Sequence, residues 1–142
     1  MINRDAPVVA SDEILIRAPI QVVWDIQTDV AAWPSWQPDV DCAQADAPLA
    51  AGSVFHRRRG GLDITSTVEK IEPPHRIVWG GAAGGIVAVH AWTLEETEDG
   101  VLVRTEESWE GEPVDARPEA MQRALEASLR DWLENLRRAA ER

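Results

Sequence analysis

The sequence predicts an α+β fold in which a curved antiparallel sheet of about six to seven strands surrounds one long C-terminal helix. Three observations carry this. The middle of the chain is a succession of strand-like runs separated by Gly and Pro turns. The last part is a single amphipathic stripe without a breaker. Between the first strand and the rest, two short helical segments fit and nothing longer does. Successive hairpins imply antiparallel pairing, and a lone amphipathic helix must bury its stripe against the sheet they form.

The elements follow in order. Around Val8 to Ala18, Ile14 and Ile16 alternate with Glu13, Leu15 and Arg17, a period of two with β-branched residues that predicts a strand. Ala18-Pro19 opens a helix, with Pro at the first helical position, where its missing N–H costs little. Ile20, Val23, Trp24 and Gln27 recur at helical spacing. Thr28-Asp29 caps a second, very short helix through Trp33, and Pro34 stops it. Val40 to Ala45 is a short strand. Ser53 to Arg59 and Leu62 to Ile71 flank Gly60-Gly61, a hairpin signal. Glu72-Pro73-Pro74 ends that strand and His75 to Gly80 begins another. Gly80 to Gly85 reads as a flexible loop. Ile86 to Glu95 and Val101 to Trp109 form the last hairpin. The final helix starts near Asp115 or Arg117 with Pro118, runs to about Ala140, and presents Met121, Leu125, Ser128, Leu129, Trp132, Leu136 and Ala139 on one face.

Composition narrows the function. The chain has 142 residues, which suits one domain over 1–142, and its apolar content of 44% suits a packed core. The formal net charge is −11, a poor match for nucleic acid or an anionic membrane. The charges from Glu119 onward balance, so the whole excess lies before the final helix. Cys42 is the only cysteine, which excludes an intramolecular disulfide and a thiolate cluster. The N-terminus does not read as a signal peptide, and no stretch has the apolar length of a membrane span. The expectation is a soluble, cytoplasmic protein with no membrane insertion. Seven of the eight aromatic residues are Trp and none is Tyr; seven indoles serve as core, as a cavity lining, or as both.

Particular stretches carry a family resemblance. They are Ala18-Pro19-Ile20-Gln21-Val22-Val23-Trp24, Thr28-Asp29, Trp33-Pro34-Ser35-Trp36-Gln37-Pro38, the run Val68 to Trp79, and His90-Ala91-Trp92-Thr93-Leu94. With the element order, they make the chain resemble the START-like (SRPBCC) superfamily, which has the helix-grip or Bet v 1-like fold. Within it the chain is similar to the polyketide cyclase/dehydrase-like group. The resemblance covers nearly the whole chain. It implies a ligand cavity between the long helix and the concave sheet, and leaves the activity open, because shared fold does not transfer chemistry.

The last hairpin supplies the chemical candidates. A four-residue connection, Thr97 to Gly100, pairs Leu94 with Val103, Trp92 with Thr105 and His90 with Glu107. A two-residue Asp99-Gly100 turn would set His90 opposite Trp109 instead, and a three-residue bulged loop would reverse the facing. In the first register, a His and a carboxylate stand together on an apolar wall. Such a pair suits general acid/base chemistry, with His90 as base and Glu107 orienting it. It equally suits a pair that only satisfies itself. In Arg57-Arg58-Arg59, Arg58 points opposite to its neighbours. Arg57 could steady an oxyanion, or the run could be a solvated edge.

Trp24 and Trp132 read first as core. Trp36, Trp79 and Trp92 suit stacking on a flat ligand, Trp33 and Trp36 border the entrance, and Trp109 lies at a strand end. The candidate ligand-contacting set is Trp36, Phe55, Arg57, Trp79, Trp92, Leu125, Leu129 and Trp132. No metal motif, phosphate loop or nucleophile elbow is present, so no metal or cofactor is expected. The expected function is binding of a hydrophobic small molecule of aromatic or polyketide-like type. It comes with or without cyclisation or dehydration; the alternative is a lipid or hydrophobic-metabolite carrier. A protein-interaction role through the acidic surface has little support. An exposed edge strand or the Trp33/Trp36 region offers a surface for a homodimer that nothing in the sequence requires.

Overall fold

The computed structural model describes residues 1–46 and 48–142. Seven strands form one antiparallel sheet: β1 (Val8–Ile16), β2 (Val40–Ala45), β3 (Val54–Arg59), β4 (Leu62–Glu72), β5 (Arg76–Ala83), β6 (Ile86–Thr97) and β7 (Gly100–Glu110). Their order across the sheet is β1-β7-β6-β5-β4-β3-β2. Strands β2 to β7 thus follow one another as a meander, and β1 closes the far side on β7. Helix α1 (Ile20–Thr28) and a 3₁₀ turn (Val30–Ser35) lie between β1 and β2. A short helix, α2 (Glu112–Ala116), precedes the long α3 (Pro118–Ala140). This is the helix-grip arrangement that the resemblance implies.

Several local expectations change. Pro19 is the residue before α1 rather than its first, and its extended backbone fits the start of a helix. Pro34 lies inside the 3₁₀ turn instead of ending it. The final helix starts at Pro118 after Arg117, as one of the two expected starts had it, and the unexpected short α2 ends before Arg117, whose φ of −144° cannot continue a helix. The largest change is at Gly80 to Ala83, which continue β5 and are not a loop. Only Gly84 and Gly85 turn the chain, with φ of 58° and 82°. Gly81 is needed for a different reason: a Cβ there would stand 2.1 Å from the Thr65 carbonyl oxygen. The glycines permit close approach of β4 rather than flexibility.

The inward stripe of α3 is Leu125, Leu129, Trp132, Leu133, Leu136 and Ala140, and each large member contributes about 1.5–3 kcal/mol by leaving water. Its two halves serve different clusters. Leu125 and Leu129 pack with Val8, Ala10 and Val114. Trp132, Leu133 and Leu136 join α1, the 3₁₀ turn and the sheet. That second cluster is dominated by aromatic rings. Trp33 is fully buried at its centre, 5.2 Å from Trp132, 5.8 Å from Trp79 and 5.6 Å from Phe55.

Gln27 holds two of these indoles. Its backbone carbonyl accepts from Trp33 Nε1 at 3.0 Å, and its side-chain oxygen accepts from Trp132 Nε1 at 3.1 Å. Gln27 is itself fully buried, so a polar residue in α1 sets the position of a ring on α3.

Candidate functional site

A pocket of about 140 Å³ lies between α3 and the strands β3 to β7. Its wall includes Trp79 from β5, His90 from β6, Glu107 and Trp109 from β7, Arg57 and Arg59 from β3, and Ser128 and Trp132 from α3. Leu62 also lines it and is 42% exposed, so the pocket opens at the β3–β4 hairpin. The strands position these groups through the period of two. Phe55, Arg57 and Arg59 turn inward, whereas His56 and Arg58 turn out. His56 meets Thr65 and Arg58 pairs with Asp63 on the outer face.

The β6–β7 register pairs His90 with Glu107, Trp92 with Thr105 and Leu94 with Val103, with Thr97 opposite Gly100. His90 is 2% exposed. Its Nε2 is 2.7 Å from Thr105 Oγ1, and that hydroxyl donates to the Ala91 carbonyl at 3.3 Å. A hydroxyl has one proton. Spending it on Ala91 makes Thr105 an acceptor toward His90, which sets the Nε2–H tautomer. Nδ1 then carries the lone pair. It lies 3.1 Å from Glu107 Oε1 but outside hydrogen-bonding geometry, and has no other partner. The second Glu107 oxygen accepts from Trp109 Nε1 at 2.7 Å.

Burial pushes the two members of this pair in opposite directions. His90 is held well below the ordinary histidine value by desolvation, and the charges of Arg57 and Arg59 add to this. Glu107 is pushed up to about 7 by desolvation, against the hydrogen bond from Trp109 and the nearby arginines. Both shifts favour the uncharged form. Near neutrality the transferable proton therefore belongs to the carboxyl, and the imidazole is its neutral neighbour. Three rings enclose the imidazole: Trp92 at 4.9 Å, Trp79 at 5.1 Å and Trp132 at 5.3 Å.

The residues expected at the site divide into two sets. His90, Glu107, Arg57, Trp79 and Trp132 share the pocket wall. Trp36, Phe55 and Trp92 are buried in the aromatic core behind it, and Leu125 and Leu129 belong to the other cluster. Trp33 does not border an entrance but fills the middle of the core, because the 3₁₀ turn directs it under the sheet. The inward faces of β3 and β4 also bring Arg59, Leu62, Ile64 and Ser66 to the wall. The facing of Arg59 was available from its spacing to Arg57. That of Ser128 was available from its place on the α3 stripe. Among the described residues, no cluster of three or more His, Cys, Asp or Glu side chains is arranged to hold a metal ion.

Comparison with known proteins gives the family and the fold. A family model described as polyketide cyclase / dehydrase and lipid transport matches residues 7–141. No curated protein sequence matches the chain. Among solved structures, a hypothetical protein of Helicobacter pylori is similar with a TM-score of 0.85 and 21% identity, over 98% of this chain and 91% of that one. A START superfamily protein from Mycobacterium smegmatis is similar with a TM-score of 0.80 and 15% identity, over 94% and 97%. The di-domain ARO/CYC protein BexL of the BE-7585A biosynthetic pathway is similar with a TM-score of 0.78 and 21% identity; 97% of this chain matches 52% of that protein. At these identities the likeness shows the fold.

Proposed function

Because the chain belongs to the polyketide cyclase / dehydrase and lipid transport family, we propose that it binds a hydrophobic, ring-bearing small molecule between α3 and the sheet and moves a proton on it through Glu107 and His90. The observation that supports this is the buried pair itself, with opposed shifts and a histidine tautomer set by Thr105. Groups of this kind gather where proton transfer is needed. In a dehydration, the ionised Glu107 takes the proton from the carbon next to a carbonyl. The electron pair forms the new C=C bond, the C–O bond at the next carbon breaks, and the leaving hydroxyl departs as water on taking the proton that Glu107 has just accepted. The neutral His90 beside the carboxyl stabilises neither charge outright, so it lets Glu107 hold and release the proton near neutral pH.

A non-catalytic binding role is the second reading, favoured by one observation. Both ring nitrogens of His90 face protein groups, Nε2 toward Thr105 and Nδ1 toward Glu107. Mass spectrometry of small molecules extracted from the purified protein separates the readings. The enzyme reading expects wild type and Glu107→Gln, each given the extracted compound, to differ: the first converts it and the second binds it unchanged. Identical, unconverted compound on both supports the binding role and removes the catalytic one.

A further inference from the structure

Resting on that reading of the pocket, we infer that its ligand is a monocyclic aromatic carboxylate, with the carboxylate on Arg57 and the ring against Trp79 and Trp132. Size limits the body of the ligand. A cavity of about 140 Å³ is comparable to an engineered apolar cavity of about 150 Å³ that accepts benzene, and well under the roughly 300–1,000 Å³ of most ligand sites. A volume of this size matches one ring and is exceeded by a fused pair. The wall is flat and apolar where Trp79, Trp109 and Trp132 meet it, which excludes a bare inorganic anion as the natural occupant.

Charge fixes the head group. The three successive arginines of β3 are treated differently by their surroundings. Arg58 is paired with Asp63 and Arg59 with Asp39. Of the two that turn inward to the pocket, Arg57 has no ion-pair partner among the described residues. Its guanidinium donates to Ser66 Oγ at 3.2 Å, lies 5.6 Å from the Trp33 ring and 5.8 Å from the Phe55 ring, and leaves its Nε buried without an acceptor. The two rings hold the cation in place but offer no oxygen. A buried charge left unpaired is costly. A guanidinium has five donors in a planar fork, the complement of a carboxylate. Trp79 Nε1, on the same wall, is a second buried donor without a partner. Glu107 acts on Arg57 through space but forms no ion pair with it, and burial pushes its carboxyl up to about 7.

The test is titration of the full chain, followed by intrinsic Trp fluorescence and calorimetry, with benzoate, benzamide, 2-naphthoate and toluene. Charge-assisted hydrogen bonds are worth roughly 1.5–3 kcal/mol, and 1.4 kcal/mol is tenfold in affinity. Benzoate is expected to bind at least about tenfold tighter than benzamide and than 2-naphthoate. Arg57→Gln is expected to abolish the preference over benzamide while toluene affinity stays within about twofold. Should Arg57→Gln fail to fold, Arg57→Lys keeps the charge without the fork and is expected to reduce the preference. Equal binding of benzoate and benzamide overturns the inference, as does a preference that survives Arg57→Gln. Toluene binding without benzoate binding overturns the carboxylate and leaves the hydrophobic pocket standing. Binding of no probe overturns both.

Discussion

Glu107 is the side chain whose behaviour depends most on where the fold puts it. Its carboxyl titrates at about 7 in the folded chain against an ordinary 4.5. As pH rises from 4.5 the unfolded chain releases this proton first, so the native state binds more protons and loses stability until about pH 7. His90 acts in the opposite sense, because its folded value lies below the ordinary 6.5. As pH falls through 6.5 the unfolded chain gains that proton first and native stability drops. Urea unfolding of wild type and Glu107→Gln across pH 5 to 8 should therefore diverge. The stability of wild type relative to the variant is expected to fall by up to roughly 3 kcal/mol through this window and then level off. Parallel curves would show that Glu107 titrates normally. At this scale the sequence offered the His90–Glu107 pair as one of three registers, and the assembled hairpin selects it. It could not reveal which of them keeps the proton, because that depends on desolvation, to which Trp79 of β5 and Trp132 of α3 contribute along with Trp92 of the histidine's own strand.

Gln27 teaches the same lesson between elements. Its place on the apolar face of α1 was visible as a spacing. Its bond to Trp132, 105 residues away, was not. Gln27→Leu would keep the backbone carbonyl that accepts from Trp33 but leave the buried Trp132 N–H without an acceptor; loss is expected at about 1–3 kcal/mol, read from urea midpoints, with a shift of the Trp emission. The β4–β5 pair carries a second element-scale prediction. Gly81→Ala would drive a Cβ into the Thr65 carbonyl at 2.1 Å, so the strands must part. Thermal unfolding should report a loss of about 2 kcal/mol or more, while Gly84→Ala, at an exposed turn, should report a smaller one from its positive φ alone. Glycine runs announce loops in a sequence because most glycines there turn the chain. Gly80 and Gly81 misled for the opposite reason, serving a tight contact between extended strands that only the assembled sheet displays. The hairpin around Glu98-Asp99 was legible as a turn, while its register, one of three that the sequence left open, is set by the assembled strands.

Over the whole molecule, the order of elements was written in the sequence almost completely, since hydrophobic period and turn residues are local signals. The pocket was not. Its size is the space left after Trp33, Trp92, Phe55 and Leu129 have packed, and packing is a property of all elements at once. A ligand that fills it binds only the native state. At a concentration of about 100 times its Kd it should stabilise the fold by roughly 2.7 kcal/mol, seen as a rise in Tm of several degrees that vanishes in a variant with the pocket filled, such as Ser128→Trp. An unchanged Tm under saturating ligand would place the binding elsewhere.

The distribution of charge has a kinetic consequence. The chain carries a net −11, yet the groups that turn inward on β3 are Arg57 and Arg59. An anion bound for the interior must first approach a surface of its own sign. Salt shortens the reach of that surface to about 10 Å at 0.1 M and barely touches a sheltered contact with Arg57. Entry of a carboxylate should therefore quicken as ionic strength rises, the reverse of ordinary electrostatic steering, while a neutral ring enters at a rate indifferent to salt. Stopped-flow Trp quenching with benzoate and toluene at 20 to 300 mM NaCl (~ the span over which the screening length falls severalfold) would display the contrast. The exterior then acts as a gate that selects by rate, set against a lining that selects by affinity.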